Sequence, residues 1–320
     1  MTTGAVTPGA ASTGTRARAL PRAKIGIVHI LWANDDLPEL TPPIEPLQIL
    51  DEISRLGFEG TQLAGSFPRG AALDEALAAR DLRIAEVYAC IECAEDGPVP
   101  GALEVGRAKL AELHAAHGDT LVAALPVGPA RIPWGGRADG PDVPRMTDEG
   151  FQRLGELLET LGSEARDLGH TLTFHNHVGT YVETPEEVDR LFSVSDPAVV
   201  GSCLDVGHYL LGGGDPVATL TRYGDRVRHV HLKDVDGGVK AAMRTGEIDG
   251  FLAGLRKRVF TEVGRGLLDV RGILETLDGM DYAGWVMVEQ DTTWRAPSES
   301  AVMSRAVVDH LLREIAAGRG

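Results

Sequence analysis

The sequence predicts a single-domain α/β fold, a (β/α)8 barrel over residues 23–316. Short β-rich runs alternate with helical patterns, and eight strands and eight helices can be counted over about 290 residues, as a barrel of this class requires. The main alternative is an open doubly wound sheet, which usually has a Gly-rich phosphate loop after its first strand. Here the first strand leads into HILWAND, which contains no glycine. The closed barrel is therefore favoured.

The predicted strands are short runs in which aliphatic and β-branched residues dominate. The first is KIGIVHI at 24–30, and the last is GWVMVEQ at 284–290. The six others lie at 60–64, 82–90, 119–126, 171–176, 199–205 and 227–234.

A helical pattern follows every predicted strand, and some helix ends are marked by capping residues. Gly169 closes the long fourth helix, while Thr184 and Pro185 have the residue types of an N-cap and a first helical position. The predicted helices lie at 44–57, 71–80, 101–117, 147–169, 184–192, 215–223, 269–277 and 298–315.

Three segments fall outside this alternation. Residues 1–22 are rich in Thr, Ala, Gly and Arg without an acidic residue or an apolar core segment, which predicts a disordered tail rather than a secretory signal. Residues 127–146 and 235–262 are too long for simple connections. Both follow strands, on the side where barrels hold their active sites, so we interpret them as lid or substrate loops.

Charge and cysteine content limit the partners and the compartment. The formal net charge is −16, which argues against nucleic acid or an anionic membrane surface as a partner. No apolar run approaches the roughly 20 residues of a membrane span. Cys90, Cys93 and Cys203 are too few for a disulfide framework, so a cytoplasmic location is expected. The single C-x-x-C lacks the second pair that a four-thiolate zinc site needs, which favours structural cysteines.

Polar residues that can bind metal or transfer protons occur at the ends of the last four strands. Neighbouring strands lie about 4.8 Å apart, so inward side chains from four consecutive strand ends can converge on one point. Imidazoles and carboxylates together suit Mn²⁺, Co²⁺, Fe²⁺ or Zn²⁺. These strand ends offer His175 and His177, Asp205 and His208, His231 and Lys233, and Glu289.

Each of these residues also has an ordinary structural interpretation. A single strand histidine is more often a hydrogen-bonded core residue, and Asp205 could simply cap the next helix. His229 and His231 share a strand face, and we take His229 as the packed one. As a group, however, buried ionisable residues need partners or a metal, because burying charge is costly. The set therefore predicts a metal site.

Several segments resemble a known family over about residues 24–312. HNHVGTYVETPEEVDRLF, LDVGHYLLGGGDP, RYGDRVRHVHLKDV and GWVMVEQD are similar to the xylose isomerase-like barrels of the sugar isomerase and epimerase superfamily. WANDD and H-x-H-x-G-T narrow the resemblance to the inosose dehydratases. The resemblance implies a Mn²⁺- or Co²⁺-dependent lyase that acts on a small cyclic polyol ketone. The metal ligands that it implies are His175, Asp205, His231 and Glu289.

The implied reaction assigns expected roles to further residues. Loss of water from a β-hydroxy ketone begins with proton removal next to the carbonyl, giving an enolate that a divalent metal stabilises. We expect His177 and His208 to serve as base and acid, and Lys233 to hold an oxyanion or hydroxyl. The residues expected to bind substrate are Trp32, Asn34, Asp35, Gln62 and Arg265.

Two of these residues depart from the family pattern and leave alternatives open. The second strand of the family usually ends in Glu, here Gln62, and a P-G-D-G loop is here VGRG with Arg265. The substrate could therefore be a different keto-sugar. A ketose or inosose isomerase or epimerase on the same metal site is the alternative function; a DNA endonuclease or a non-catalytic sugar-binding barrel is less favoured. The family allows a homo-oligomer, but no segment marks an interface.

Overall fold

Eight parallel strands close into a barrel in the computed structural model, which describes residues 18–34, 37–40 and 44–319. The strands are β1 (Lys24–Ile27), β2 (Gly60–Gln62), β3 (Arg83–Cys90), β4 (Thr120–Ala124), β5 (Thr171–His175), β6 (Gly201–Asp205), β7 (Val227–Leu232) and β8 (Trp285–Val288). Every strand pairs with its neighbours in sequence, and β8 pairs with β1. The predicted (β/α)8 barrel is confirmed. Several strands end earlier than predicted, and the polar residues assigned to their ends lie in the loops that follow.

The described part of the chain contains eleven α-helices, three more than the sequence analysis counted. One extra helix follows β6 directly, and two lie within the segment 235–262, where no helical period was recognised. They are α1 (Pro46–Arg55), α2 (Ala71–Ala78), α3 (Ala102–Ala115), α4 (Asp148–Asp167), α5 (Pro185–Ser193), α6 (Val206–Leu211), α7 (Pro216–Tyr223), α8 (Gly237–Thr245), α9 (Phe251–Arg256), α10 (Val270–Gly279) and α11 (Pro297–Ala317).

The outer helices pack their apolar faces on the barrel. In α4, Leu154, Leu158 and Leu161 recur at helical spacing and are fully buried. A Cβ atom at Gly162 would lie 2.4 Å from the carbonyl oxygen of Val199, so only glycine allows α4 to approach the segment before β6. Thr184 caps α5 through a capping box, as the sequence predicted.

The N-terminal end of the barrel is closed by a polar cluster and an aromatic side chain. Asp119 accepts hydrogen bonds from Lys24 Nζ at 2.7 Å and from Trp285 Nε1 at 2.8 Å. A Cβ atom at Gly60 would lie 2.6 Å from the Trp285 ring, so the missing side chain makes room for the indole. This end of the barrel is therefore packed, and the open end is the opposite one.

Residues before the predicted domain boundary at residue 23 pack on the barrel. Ala19 and Leu20 are buried, and their amides donate to Leu312 O at 3.1 Å and to Asp278 Oδ1 at 2.8 Å. Residues 18–22 therefore belong to the barrel rather than to the predicted tail, whose residues 1–17 lie outside the described residues. No helix among the described residues is long and apolar enough to cross a membrane.

Candidate metal centre and active site

Four ionisable side chains meet at the carboxyl ends of β5 to β8. His175 and Asp205 are the last residues of β5 and β6, Asp205 is paired in register with His231 of β7, and Glu289 follows β8. Each offers one ligand atom, and these four atoms all lie within 4.8 Å of one another. All four residues are buried. The structure thus brings together the four predicted ligands.

The side chains of this group are in close contact, yet several of their buried polar atoms are left without a hydrogen bond in the described part of the chain. Asp205 Oδ2 lies 3.3 Å from His175 Nε2 and 3.9 Å from His231 Nδ1, and Glu289 Oε2 approaches His231 Nδ1 to 2.6 Å. Buried polar atoms normally have hydrogen-bond partners. Three of the atoms in these contacts make no hydrogen bond to a described residue: Asp205 Oδ2, His231 Nδ1 and Glu289 Oε2. The group can hold a divalent metal ion.

Asp205 has two roles, one with each carboxylate oxygen. Oδ1 accepts the backbone N–H of His208 at 2.7 Å and so caps α6, as an Asp N-cap does. Oδ2 points to the other members of the group. Burial would raise the pKa of Asp205, but Lys233 and His175 outweigh it and hold this pKa below its ordinary value. The carboxylate is therefore ionised and available to a cation.

Lys233 is the internal counter-charge of the group. Its Nζ lies 3.0 Å from Glu289 Oε1, 3.0 Å from Asp291 Oδ2 and 3.4 Å from Asp205 Oδ2. The ammonium also lies 4.6 Å from the centre of the Phe260 ring. Burial would lower the pKa of Lys233, but the carboxylates raise it. Lys233 is thus charged and enclosed by protein groups.

His177 and His208 lie side by side, with ring centres 3.8 Å apart. The peptide unit of Val178 joins them: its oxygen is 2.8 Å from His177 Nδ1, and its N–H donates to His208 Nδ1 at 3.2 Å. His177 Nδ1 is therefore the protonated nitrogen, which leaves Nε2 as an acceptor. Burial and His175 lower the pKa of His177 to about 3, so this imidazole is neutral near pH 7.

The two histidines differ in their access to solvent. His177 lines the cavity described below, whereas His208 is fully buried and its Nε2 faces Lys233 Nζ at 3.1 Å. Burial and His177 lower the pKa of His208 well below its ordinary value. His177 is thus the better placed of the two for contact with a small molecule.

The predicted lid segment 235–262 does reach the site. Phe251 of α9 packs edge-on against His177 with ring centres 5.3 Å apart, and Phe260 packs on His208 at 4.8 Å. These rings exclude water from the two imidazoles, which favours their neutral form. The segment therefore contributes desolvation rather than polar contacts.

A buried carboxylate connects the other predicted loop to the site. Glu183 accepts N–H groups from Gly136, in the segment 127–146, at 2.8 Å and from Gly179 at 2.7 Å. Gly179 lies two residues after His177. Burial raises the pKa of Glu183 to about 7, although Arg131 lies 4.0 Å away. Sequence reasoning missed Glu183 because it directly precedes the N-cap Thr184 and looked like part of the helix start.

A cavity of about 300 Å³ opens directly over the metal group. Its size is at the lower end of the range for small-molecule sites. It is lined by His175, His177 and Glu289, by Gln62 as predicted, and by Asp291, which the sequence analysis did not select. Burial raises the pKa of Asp291 to about 7 even though Lys233 lowers it. A larger cavity of about 700 Å³ lies beside it but contacts none of the four ligand candidates.

Two predicted substrate contacts are used for packing instead. Trp32 is fully buried in the core, and its Nε1 donates to Glu52 Oε2 at 2.6 Å, so the prediction for Trp32 was wrong. Asn34 Nδ2 donates to Asp291 O at 2.7 Å, and its Oδ1 accepts from Leu37 N at 2.8 Å. Asn34 therefore joins the loops after β1 and β8. Asn and Trp side chains can serve either in such supporting contacts or in binding, and the sequence alone does not distinguish the two uses.

The remaining two predicted substrate residues receive no support. Arg265 is exposed and does not line the cavity. Its loop is folded onto Asp234, whose Oδ2 accepts the amides of Gly264 at 2.8 Å and Gly266 at 2.9 Å. Asp35 lies outside the described residues.

A second buried carboxylate, which sequence reasoning also missed, lies below the group. Glu86 Oε2 is 2.9 Å from His231 Nε2 and also contacts His229 Nε2. Burial would raise the pKa of Glu86, but the two imidazoles lower it well below its ordinary value. His229 is fully buried here, as expected for the packed member of its pair. The available signal was a lone Glu inside the apolar run RIAEVYAC.

Comparison with known proteins identifies the family of this chain. Residues 50–308 match the family model of the xylose isomerase-like TIM barrel. The inosose dehydratase of Lacticaseibacillus casei is 32% identical over 289 residues, which cover 89% of this chain and 96% of the relative. That of Bacillus licheniformis is 36% identical over 290 residues, which cover 90% and 95%.

Solved structures show the same architecture. An L-ribulose 3-epimerase superposes with a TM-score of 0.67 and covers 93% of this chain and 97% of its own, at 15% sequence identity. At that identity the likeness shows the fold alone. The family model and the relatives above 30% identity also show the family of this chain, which the motifs in the sequence predicted. This protein therefore belongs to the xylose isomerase-like TIM barrel family and, within it, groups with the inosose dehydratases.

Proposed function

We propose that this protein is a divalent-metal-dependent dehydratase, a hydro-lyase that eliminates water from a cyclic polyol ketone such as 2-keto-myo-inositol. The observation that carries this proposal is the group of two imidazoles and two carboxylates beneath a small cavity at the barrel mouth. The relatives named inosose dehydratase support the reaction class, since they match about nine-tenths of the chain. Inosose is a small ring, for which the cavity is large enough.

The metal would be held by His175, Asp205, His231 and Glu289. Their mixed nitrogen and oxygen chemistry suits Mn²⁺, Co²⁺, Fe²⁺ or Zn²⁺, and the resemblance to the inosose dehydratases narrows the proposal to Mn²⁺ or Co²⁺. When bound, such an ion supplies Lewis acidity that stabilises the negative charge developing on the ketone oxygen. His175 and Glu289 line the cavity, so a substrate bound in the cavity can approach the ion that these residues would hold.

His177 is the proposed base. It must take the proton from the carbon next to the carbonyl, and its Nε2 is an acceptor because Nδ1 is engaged by Val178 O. The electron pair of the broken C–H bond forms the enolate and then the new C=C bond as the β-hydroxyl leaves. Phe251 excludes water from His177 and so preserves its neutral form.

The departing hydroxide must receive a proton, and Asp291 is the candidate acid. It lines the cavity, and its carboxyl group lies 3.0 Å from Lys233 Nζ. His208, which the sequence analysis paired with His177, contacts Val178 and Lys233 instead of the cavity. We therefore assign His208 and Lys233 to orienting His177, Asp205 and Asp291 rather than to direct proton transfer.

One assay separates elimination from the alternative, isomerisation or epimerisation of a keto-sugar. Chelator-treated protein is reloaded with Mn²⁺ or Co²⁺ and incubated with inosose, with the Asp205→Asn variant as a control. A diketone product that absorbs in the ultraviolet, formed only by the reloaded protein, supports the proposal. Scrambled stereocentres without a new absorbance would support epimerisation, and no metal uptake would exclude both.

The other expectations remain predictions. A small-molecule polyol ketone or keto-sugar is the proposed partner, and nucleic acid is not expected because of the charge of −16. A homo-oligomer and a cytoplasmic location are predictions from the family resemblance and from the cysteine content. Analytical ultracentrifugation tests the former, and cell fractionation tests the latter.

A further inference from the structure

We propose that Glu86 is a positioning residue that fixes the orientation and tautomer of His231 and thereby sets the metal affinity of the centre. The inference rests on the proposed metal-dependent function and adds to it a carboxylate that is not among the four ligands. It concerns a contact across the barrel interior, since β3 and β7 are not neighbours in the sheet.

Glu86 is an acidic residue at a fully buried position, where a charge must be compensated by close polar contacts. It lies in the middle of β3, and its side chain is 0% exposed. Burying an unpaired carboxylate is strongly unfavourable, because the ion loses its hydration. Its only polar partners among the described residues are the Nε2 atoms of His231, at 2.9 Å, and of His229. Glu86 is therefore paired with imidazoles of β7 through Oε2, while its Oε1 makes no hydrogen bond to a described residue.

This pairing determines which nitrogen of His231 faces the metal group. An ionised carboxylate only accepts hydrogen bonds, so Nε2 of His231 must carry the hydrogen. In the neutral imidazole the lone pair is then on Nδ1. That atom lies 2.6 Å from Glu289 Oε2 and 3.9 Å from Asp205 Oδ2, within the metal group. An ion that binds there would displace the hydrogen of Nδ1, whereas Glu86 keeps the hydrogen on Nε2 and so keeps Nδ1 directed at the metal group.

A carboxylate on the far nitrogen of a ligand histidine has two effects in metal sites generally. It holds the ring in place, and it makes the ligand nitrogen a better donor. His229 provides the second hydrogen bond to Glu86 and fixes the carboxylate, but it is not one of the four residues of the metal group. Removing Glu86 should therefore weaken metal binding without removing a ligand.

A different role for the same residues has to be distinguished. Cys203, His229 and His231 also present ligand atoms within 4.8 Å of one another. However, Nε2 of His231 lies at hydrogen-bond distance from Glu86 Oε2, 2.9 Å, and is already occupied by that carboxylate. The contact has the geometry of a hydrogen bond, so a second ion is not needed to explain it.

The test compares Glu86→Gln with Glu187→Gln, a matched change at another buried carboxylate that pairs with Arg131 at 2.8 Å. Dissociation constants for Mn²⁺ are measured from the electron paramagnetic resonance signal of the free ion, at a temperature where circular dichroism shows each variant folded. We expect binding to weaken by about 10–100-fold in Glu86→Gln and to be unchanged in Glu187→Gln. The visible absorption of the Co²⁺ form should also change only in Glu86→Gln.

Each remaining outcome has a defined meaning. If the wild-type protein binds neither Mn²⁺ nor Co²⁺, both the proposed function and this inference are refuted. Wild type that binds Mn²⁺, with equal affinity in Glu86→Gln, would overturn the inference and leave the metal centre intact. Two ions per wild-type chain, one of them lost in Cys203→Ser, would overturn it as well. If Glu86→Gln does not fold, Glu86→Asp, which keeps the charge but shortens the reach, must also bind Mn²⁺ more weakly.

Discussion

Asp205 accepts the backbone N–H of His208 at 2.7 Å with one carboxylate oxygen, while its other oxygen lies 3.3 Å from His175 Nε2. The residue that starts α6 is therefore also a member of the metal group. This links the fold to the chemistry, because the helix cap fixes the direction of the carboxylate before any ion is bound. The two roles can be separated by substitution.

Asp205→Asn should keep the cap and lose the metal. The amide oxygen of Asn can accept the same N–H, since Asn and Asp are comparable N-caps. The negative charge that faces His175 and Lys233 is lost, so we expect at least a tenfold weaker affinity for Mn²⁺. Asp205→Ala should lose both and unfold about 1 kcal/mol more easily than Asp205→Asn.

Metal content after dialysis and denaturant titration of the metal-free forms measure these two losses. The interpretation requires that the metal-free Asp205→Asn protein be more stable than Asp205→Ala. Full retention of metal by either variant would contradict the assignment of Asp205 as a ligand.

His177→Gln should lower kcat by about 10²–10⁴-fold, because it removes the proposed base, while leaving Mn²⁺ affinity nearly unchanged. His208→Gln should act more weakly on kcat and mainly through the position of His177, which it contacts at a ring distance of 3.8 Å. Steady-state kinetics at saturating Mn²⁺ distinguish the two. A larger loss in His208→Gln than in His177→Gln would reverse the assignment made from their exposure to the cavity.

Phe251→Ala should raise the pKa of His177 from about 3 toward its ordinary value of 6.5. The reason is that the ring of Phe251, 5.3 Å from the imidazole, excludes the water that would stabilise the charged form. Titration of the His177 ring by nuclear magnetic resonance in metal-free protein measures this shift. Leu252→Ala on the same helix is the control, and an equal shift there would mean that loosening of α9 is responsible.

The sequence predicted the barrel and the four-residue group, because both depend on local patterns that occur at regular positions. Strand and helix periods repeat along the chain, and the carboxyl ends of neighbouring parallel strands lie at one end of the barrel. Strand ends could therefore supply the candidates for the group without coordinates, and the family resemblance selected His175, Asp205, His231 and Glu289 among them.

The residues that sequence reasoning missed depend on contacts between distant parts of the chain. Glu86 meets His231 across the barrel interior, 145 residues apart in sequence, and Glu183 meets Gly136 between two loops. No local period marks such contacts. The prediction for Trp32 erred in a different way. An aromatic residue beside a strand end was expected to contact substrate, but its ring is buried in the core.

Glu183 makes the stability of this fold depend on pH. Its pKa is about 7 in the folded chain and ordinarily 4.5, because burial disfavours the carboxylate. Between these values the folded state binds more protons than the unfolded state, so the free energy of unfolding must decrease as pH rises from 4.5 to 7. The expected loss is on the order of 1–3 kcal/mol, since each pKa unit corresponds to about 1.4 kcal/mol. Glu183→Gln cannot titrate and should lack this part of the pH dependence.

Melting temperatures of both proteins between pH 5 and pH 8 test this relationship. The wild type should lose more stability than Glu183→Gln across this range. The absolute stabilities will also differ, because the NH₂ group of Gln cannot accept one of the two N–H groups of Gly136 and Gly179. Parallel curves would show that Glu183 is already ionised near pH 5. In that case Arg131, 4.0 Å away, would have to compensate the buried charge more strongly than its distance implies.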